Sequence, residues 1–296
     1  MKVALTGATG LLGRHLCALL TDRGVPFVAI DRQKWNLSEW NDTARFDAIT
    51  EGADIFIHCA AKIPTGVESD ASSSLRDLYD INVRAVLNLA QWAAGRKVHL
   101  IFISSGSVYR DPHVGVIRED AAIGPGPIGG SYAASKRMAE SVIAECAETD
   151  GLKATILRPS SLYGFGLPED KFLIRMLQSA RAGHGIEVSG PENRIDFVHA
   201  HDLSRAALMA AETGATGVFN IAGSGPVRLA ELGQVIAAFG PAGPVDLSIH
   251  PDHEPPFTRF ALDHSAAANA FGYGPLISLP TGLAMTLEQQ VMPPAA

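Results

Sequence analysis

The 296-residue chain contains only three cysteines, Cys17, Cys59 and Cys146, which are far apart and show no CxxC spacing. That excludes a disulfide framework or a cysteine zinc site and leads to the expectation of a reducing, cytoplasmic setting. No run approaches the roughly 18 consecutive apolar residues that a membrane-spanning helix needs, so no membrane association is expected. Thr6, Gly7, Thr9 and Gly10 break up the opening stretch, which reads as neither signal peptide nor anchor. Lys and Arg form no cluster, and 24 basic against 31 acidic side chains give a net charge of −7. A nucleic-acid partner is therefore not expected, because affinity for a phosphate backbone rests on grouped cations. Charged residues make up 19% and hydrophobic ones 47%, and the 29 Gly and 18 Pro are dispersed, which excludes a disordered chain.

Short β-rich runs alternate with helical patterns over the first half. The strand runs are Lys2 to Leu5, Phe27 to Ile30, Asp54 to His58, Val98 to Ile103 and Thr155 to Leu157; the helical ones are Leu11 to Thr21, Leu75 to Ala93 and Tyr132 to Glu148. This βαβ rhythm predicts an α/β fold, a doubly wound parallel sheet of the Rossmann type. Nearly continuous apolar strands such as Leu100-Ile-Phe-Ile103 suit a sheet covered on both faces. Beyond Pro159 the pattern loosens, with helices expected over Phe172 to Ala182, Leu203 to Glu212 and Leu229 to Phe239 and a strand over Ile195 to Val198. The expected division is a dinucleotide-binding domain over 1–160, with 196–222 returning to it, and a smaller mixed substrate lobe over 161–195 and 223–296.

Gly7-Ala-Thr-Gly10-Leu-Leu-Gly13 follows the first strand and opens the first helix. Glycines there permit positive φ and close approach of a pyrophosphate to free helix N–H groups, so Gly7, Thr9, Gly10, Leu11, Leu12 and Gly13 are candidates to bind a dinucleotide. The spacing is GxxGxxG rather than GxGxxG. Asp31 closes the second strand run, where a carboxylate accepts from ribose hydroxyls and favours NAD. Arg32 beside it suits the 2′-phosphate of NADP, which stays open. Tyr132 and Lys136 stand four apart on one helix face, where a cation near a phenol favours phenolate. Ser104, Ser105 and Ser107 end a buried strand on the side where ligands sit in a parallel sheet.

These blocks, with His58-Cys59-Ala60-Ala61, Asn82, Val108-Tyr109, Leu157-Arg158-Pro159, Tyr163-Gly164, Asp196-Phe-Val-His-Ala-His-Asp202 and Phe219-Asn-Ile-Ala-Gly-Ser-Gly225, resemble the extended short-chain dehydrogenase/reductases, specifically the NAD-dependent epimerase/dehydratase family. The resemblance implies that Tyr132 is the acid/base and that Lys136 binds the nicotinamide ribose and lowers the phenol's pKa. It implies that Ser105 holds the reacting oxygen, that Asn82 lies by the proton path, and that Ala60, Ala61, Lys62 and Pro159 line the cofactor groove, with the alanines after a fourth strand. It implies a nucleotide-sugar epimerase or ketoreductase, and dimerisation through the helices near 75–93 and 132–148. An enzyme acting on a non-nucleotide alcohol, or an idle NAD-binding regulator, stays open.

Two departures bear on the substrate. The family's first diphosphate-binding Arg slot holds Ile195, with Arg194 adjacent, and the second region reads Glu254-Pro-Pro-Phe-Thr-Arg259. Either Arg194 and Arg259 substitute, or the substrate is not a nucleotide sugar. Gly106 and Ser107, further candidates to contact substrate, stand where a dehydratase of this family carries carboxyl groups, which disfavours dehydration. His199-Ala-His201, with His58, His250, His253 and His264, is expected to be turn and capping chemistry rather than a metal site. Cys59 and Trp35, Trp40 and Trp92 are expected to serve in packing.

Overall fold

The computed structural model describes residues 1–39, 43–63, 72–113, 115–251 and 254–293; Trp40 and His253 lie outside these. Six parallel strands form the central sheet: β1 (Val3–Thr6), β2 (Phe27–Ile30), β3 (Ile55–His58), β4 (His99–Ile103), β5 (Ala154–Pro159) and β10 (Gly217–Ile221), in the order β10-β5-β4-β3-β1-β2. From β1 the chain goes outward to β2 and then returns to the other side of β1 as β3. That reversal opens a crevice at the strands' carboxyl ends. Ala60 and Ala61 thus follow the third strand rather than a fourth, because the described residues between β2 and β3 hold only the helix α2 (Thr43–Thr50).

Both faces of the sheet are covered, which is why its strands need no polar side. Val3 and Leu5 of β1, with Ile101 and Ile103 of β4, pack on α1 (Leu11–Asp22) and α7 (Ala200–Thr213). Ala4, Leu100 and Phe102 point the other way, onto α4 (Ala85–Arg96) and α5 (Gly130–Asp150), where Trp35 and Trp92 are core residues. The helix expected over Leu75 to Ala93 is α3 (Ser72–Tyr79) and α4 joined by a π-helical turn, Asp80–Arg84. That turn carries the buried Asn82. Such bulges occur often at functional sites.

The strand expected over Ile195 to Val198 is broken at Asp196. β8 (Arg194–Ile195) pairs with β11 (Val227–Arg228) and β13 (Thr258–Arg259), whereas β9 (Phe197–His199) pairs with β6 (Ser161–Tyr163). The buried Asp196 carboxylate at the break accepts the Gly223 N–H at 3.0 Å. β7 (Ile186–Ser189) pairs with β12 (Leu247–His250). These small sheets pack with α6 (Phe172–Arg181), α8 (Leu229–Ala237) and α10 (Leu279–Leu287) around Leu173, Leu177, Leu232, Ile236 and Leu283. α9 (Ser265–Phe271) lies between them in sequence and joins the core beneath α7 through Phe271.

Candidate active site

The crevice between β1 and β3 is lined by backbone. Gly7 adopts φ 74°, and a Cβ there would lie 2.9 Å from the Ala60 nitrogen. A Cβ on Gly13 would lie 2.0 Å from the Gly7 carbonyl oxygen. The loop folds this way because neither position carries a side chain. Gly10 caps α1 with extended backbone, no side-chain cap bond is made, and the first turn holds no acid. The helix therefore presents its first N–H groups and positive dipole end to an anion, and Leu12, whose side chain is in the core, offers only its backbone. These residues fit the pyrophosphate of a dinucleotide.

Asp31 follows β2. Its Oδ1 accepts from the Gln33 and Lys34 N–H groups at 2.9 and 3.0 Å, fixing the turn and leaving Oδ2 for a ribose. Arg32 is exposed next to it.

The second half of the site comes from the ends of β4 and β5 and from α5. Ser105 caps a 3₁₀ turn, Gly106–Val108; its Oγ accepts from the Ser107 N–H at 3.2 Å and lies 2.8 Å from the Ser107 Oγ. A Cβ on Gly106 would come within 3.0 Å of the Pro159 carbonyl and 3.1 Å of the Phe260 ring, and one on Gly129 within 3.0 Å of the Ser107 Oγ. The serine turn thus abuts the first turn of α5, which carries Tyr132.

Lys136 is 3% exposed. Its Nζ donates to the Ile103 carbonyl at 2.7 Å, sits 4.6 Å above the Phe102 ring, and lies 5.8 Å from the centroid of Tyr132. Burial pulls its pKa down to about 8, against the opposing influence of Cys59 and Glu140. The expectation of a lowered Tyr132 pKa is not met, for burial pushes that phenol up to about 12. With the ammonium turned to a backbone carbonyl, desolvation outweighs the cation.

Asn82 joins the groove edge to α5. Its Oδ1 accepts the Lys62 N–H at 2.8 Å, and its Nδ2 donates to the Lys62 carbonyl at 2.9 Å and to the Ser135 Oγ at 3.0 Å. Ser135 in turn donates to the Tyr132 carbonyl at 2.8 Å. Asn82 therefore brackets the edge of the groove to the turn of α5 that holds Tyr132. The Lys62 ammonium engages Asp77 at 2.5 Å.

Under these groups lies a polar network that sequence reasoning missed. Arg158 on β5 forks onto Glu140 of α5, Nη2 to Oε2 at 2.6 Å and Nε to Oε1 at 3.1 Å, and both side chains are buried. Glu140 also accepts from the Ser104 hydroxyl. Arg158 Nη1 donates to the Tyr109 Oη at 3.0 Å and to the Glu119 carbonyl at 3.1 Å, and Tyr109 donates to Asn220 Oδ1 at 2.7 Å. The readable signal was the placement of Glu140 four residues after Lys136, on the same helix face.

The two arginines of the substrate region are not brought together. Arg194 is in register with Arg228 and Thr258, and Arg259 with Ile195, so consecutive residues of β8 set the two on opposite faces of their small sheet. Arg194 is exposed. Arg259 is half-buried, its guanidinium lies 5.0 Å from the Phe257 ring centroid, and its Nε is buried without a partner. Phe257 stacks in turn on His113 at 4.8 Å.

His199 caps α7, its Nδ1 accepting the His201 N–H at 3.2 Å. Among the described residues no group of three or more His, Cys, Asp or Glu could hold a metal ion, and no helix is long and apolar enough to cross a membrane.

Residues 3–222 match the NAD dependent epimerase/dehydratase family, and the chain belongs to it. A dTDP-4-dehydro-6-deoxy-D-allose reductase of a Streptomyces species is 28% identical over 269 residues, covering 80% of this chain and 81% of that one. The GDP-6-deoxy-D-mannose reductase of Pseudomonas aeruginosa is 29% identical over 248 residues, covering 80% and 79%. Among solved structures, a UDP-glucose 4-epimerase from Thermotoga maritima with UDP-glucose superposes with a TM-score of 0.80 at 23% identity, covering 98% of each chain.

Proposed function

We propose that this protein is an NAD(P)H-dependent ketoreductase of a nucleotide sugar. The observation that carries the reading is that the serine turn of Ser105 abuts the start of α5, the helix of Tyr132 and Lys136, in a fold whose β1–α1 turn is lined by glycine. The glycine loop, Asp31 and the Ala60-Ala61 wall would hold the cofactor, whose nicotinamide, when bound, would supply hydride for a carbonyl carbon. Ser105 donates a hydrogen bond to the carbonyl oxygen. Tyr132, kept protonated by burial, delivers its proton to that oxygen as negative charge develops, giving an alcohol. Lys136 stabilises the phenolate left behind until water reprotonates it. The two relatives named above are reductases, and the first is named for a 4-dehydro sugar. Gly106 and Ser107 lack the acid that expulsion of water would need. Arg259 suits a diphosphate, and Asp31 favours NADH.

Residues 1–160 with 196–222 serve the cofactor in this account, and 161–195 with 223–296 the substrate. Exposed Leu75, Tyr79 and Met138 on α3 and α5 support a homodimer through that face, and three free thiols support a reducing cytoplasm. The same three reacting groups support an epimerase, which returns its hydride to the same substrate. The absorbance spectrum and nucleotide content of freshly purified protein separate the two. An empty protein that binds NAD(P)H reversibly is the expected result, and stoichiometric retained NAD would establish the epimerase instead.

A further inference from the structure

The reacting groups come from two separate elements, Ser105 from the turn after β4 and Tyr132 with Lys136 from α5, and their mutual distance must be held by something else. The residues that flank the serine turn, Ser104 on one side and Tyr109 on the other, both bond to one buried ion pair. Ser104 donates to Glu140, and Tyr109 accepts from Arg158. Glu140 lies on α5 one turn beyond Lys136, and Arg158 lies on β5 immediately before Pro159, whose carbonyl borders Gly106. We propose that Glu140 and Arg158 are the positioning residues of this active site, a buried fork that sets the spacing between the Tyr132–Lys136 helix and the Ser105 turn.

A bidentate guanidinium–carboxylate contact fixes angle as well as distance, so it resists both sliding and rotation of α5 against β5. An apolar pair of the same volume would hold the core together at least as well but would anchor neither Ser104 nor Tyr109. The network reaches further: Asn220 on β10 accepts from Tyr109, donates through Nδ2 to the Ile117 carbonyl, and takes Glu119 Oε1 on its N–H at 2.7 Å. Ile117 bridges to Leu262, two residues past Phe260, which packs on Gly106. The same fork therefore ties the serine turn to the segment carrying Arg259.

Glu140 also acts on Lys136 by charge. The groups facing that ammonium are Tyr132 and Glu140 from its own helix, Cys59 and His58 from the end of β3, and the Ile103 carbonyl from β4. Glu140 is the carboxylate among them. Removing it lowers the Lys136 pKa further, so the basic limb of the pH profile moves to lower pH.

This inference rests on Ser105, Tyr132 and Lys136 being the reacting groups, and Tyr132→Phe is the control: full turnover in that variant would overturn the reading, whatever the fork does. The test uses the full chain with NAD(P)H and a nucleotide 4-ketosugar. Glu140→Leu with Arg158→Met removes both charges, and Arg158→Lys keeps the charge but not the fork. Expected in either folded variant is a kcat at least about tenfold lower, since misplacement on the order of 1 Å slows chemistry sharply. KM and the NAD(P)H Kd should stay within about threefold, and Glu140→Gln, which removes the carboxylate charge alone, should move the basic limb to lower pH. A merely structural role would lower the thermal midpoint without changing the kcat of the folded fraction or its pH profile. Wild-type kcat and pH profile in either folded variant would overturn the proposal, and if the double variant does not fold, Arg158→Lys decides alone.

Discussion

Gly13→Ala is the sharpest probe of the dinucleotide crevice. The added Cβ would lie 2.0 Å from the Gly7 oxygen and 2.6 Å from the Ala8 Cα, where ordinary contact begins near 3.4 Å. Both neighbours are backbone, so no side chain can swing aside, and the loop must move by about 1 Å. Overpacking of this kind costs about 1–3 kcal/mol. The strain falls on the amides that face the pyrophosphate, and about 1.4 kcal/mol of lost binding is a tenfold weaker Kd. Titration of NAD(P)H by fluorescence should therefore show at least about a tenfold loss of affinity, with a lowered thermal midpoint. Gly95→Ala, inside α4 with open space around its Cβ, is the matched control and should stabilise by up to about 1 kcal/mol. Wild-type affinity in Gly13→Ala would refute the claim that this loop cradles the cofactor.

Asp31→Asn keeps the turn-forming oxygen but removes the charge, and should shift preference from NADH toward NADPH by about tenfold, read as the ratio of the two Kd values; an unchanged ratio would remove Asp31 from the ribose site. Arg259→Met should raise KM for a nucleotide sugar about tenfold at nearly constant kcat, whereas Arg194→Met, on the opposite sheet face, should leave KM within twofold. Equal effects would contradict the register of β8 and β13. Burial holds His15 at about 4, His58 at about 3, His99 at about 4 and His199 at about 3. Their folded values are depressed, so the unfolded chain binds more protons once the pH falls below about 6.5, and each contributes up to about 1.4 kcal/mol per pH unit of lost stability down to its folded value. The thermal midpoint should fall steadily as the pH drops from 6.5 to 4.5; a flat profile across that acid range would contradict neutral burial of these rings.

The first half of the chain was legible because its signals are local. Strands buried on both faces write themselves as apolar runs, and Gly7, Gly10 and Gly13 mark the turn that the crevice demands. Distant pairing hid more. β12 reads Leu-Ser-Ile-His in a Pro- and His-rich stretch, is mostly exposed, and exists through its pairing with β7. β8 and β13 are two residues each, so only their long-range register reveals that Arg194 and Arg259 face opposite ways. α10 did carry a local mark, Ser278 as N-cap with Pro280 in the first turn. Within the site, residue identity could pair Tyr132 with Lys136 but could not weigh burial against charge. The Lys136 ammonium is turned toward the Ile103 carbonyl, and the phenol stays protonated.

The central claim is that Tyr132 is the acid for a hydride-accepting carbonyl on a nucleotide sugar. The direct measurement is NAD(P)H absorbance at fixed enzyme with dTDP-, UDP- and GDP-linked 4-ketosugars, wild type beside Tyr132→Phe, with the product identified by NMR. The account predicts stoichiometric cofactor oxidation and an alcohol at the former carbonyl in wild type, and a rate lower by about 10²–10⁴ in Tyr132→Phe with NAD(P)H affinity unchanged. Oxidation at the wild-type rate in Tyr132→Phe, or none with any nucleotide ketosugar in a protein that binds NAD(P)H, would contradict it.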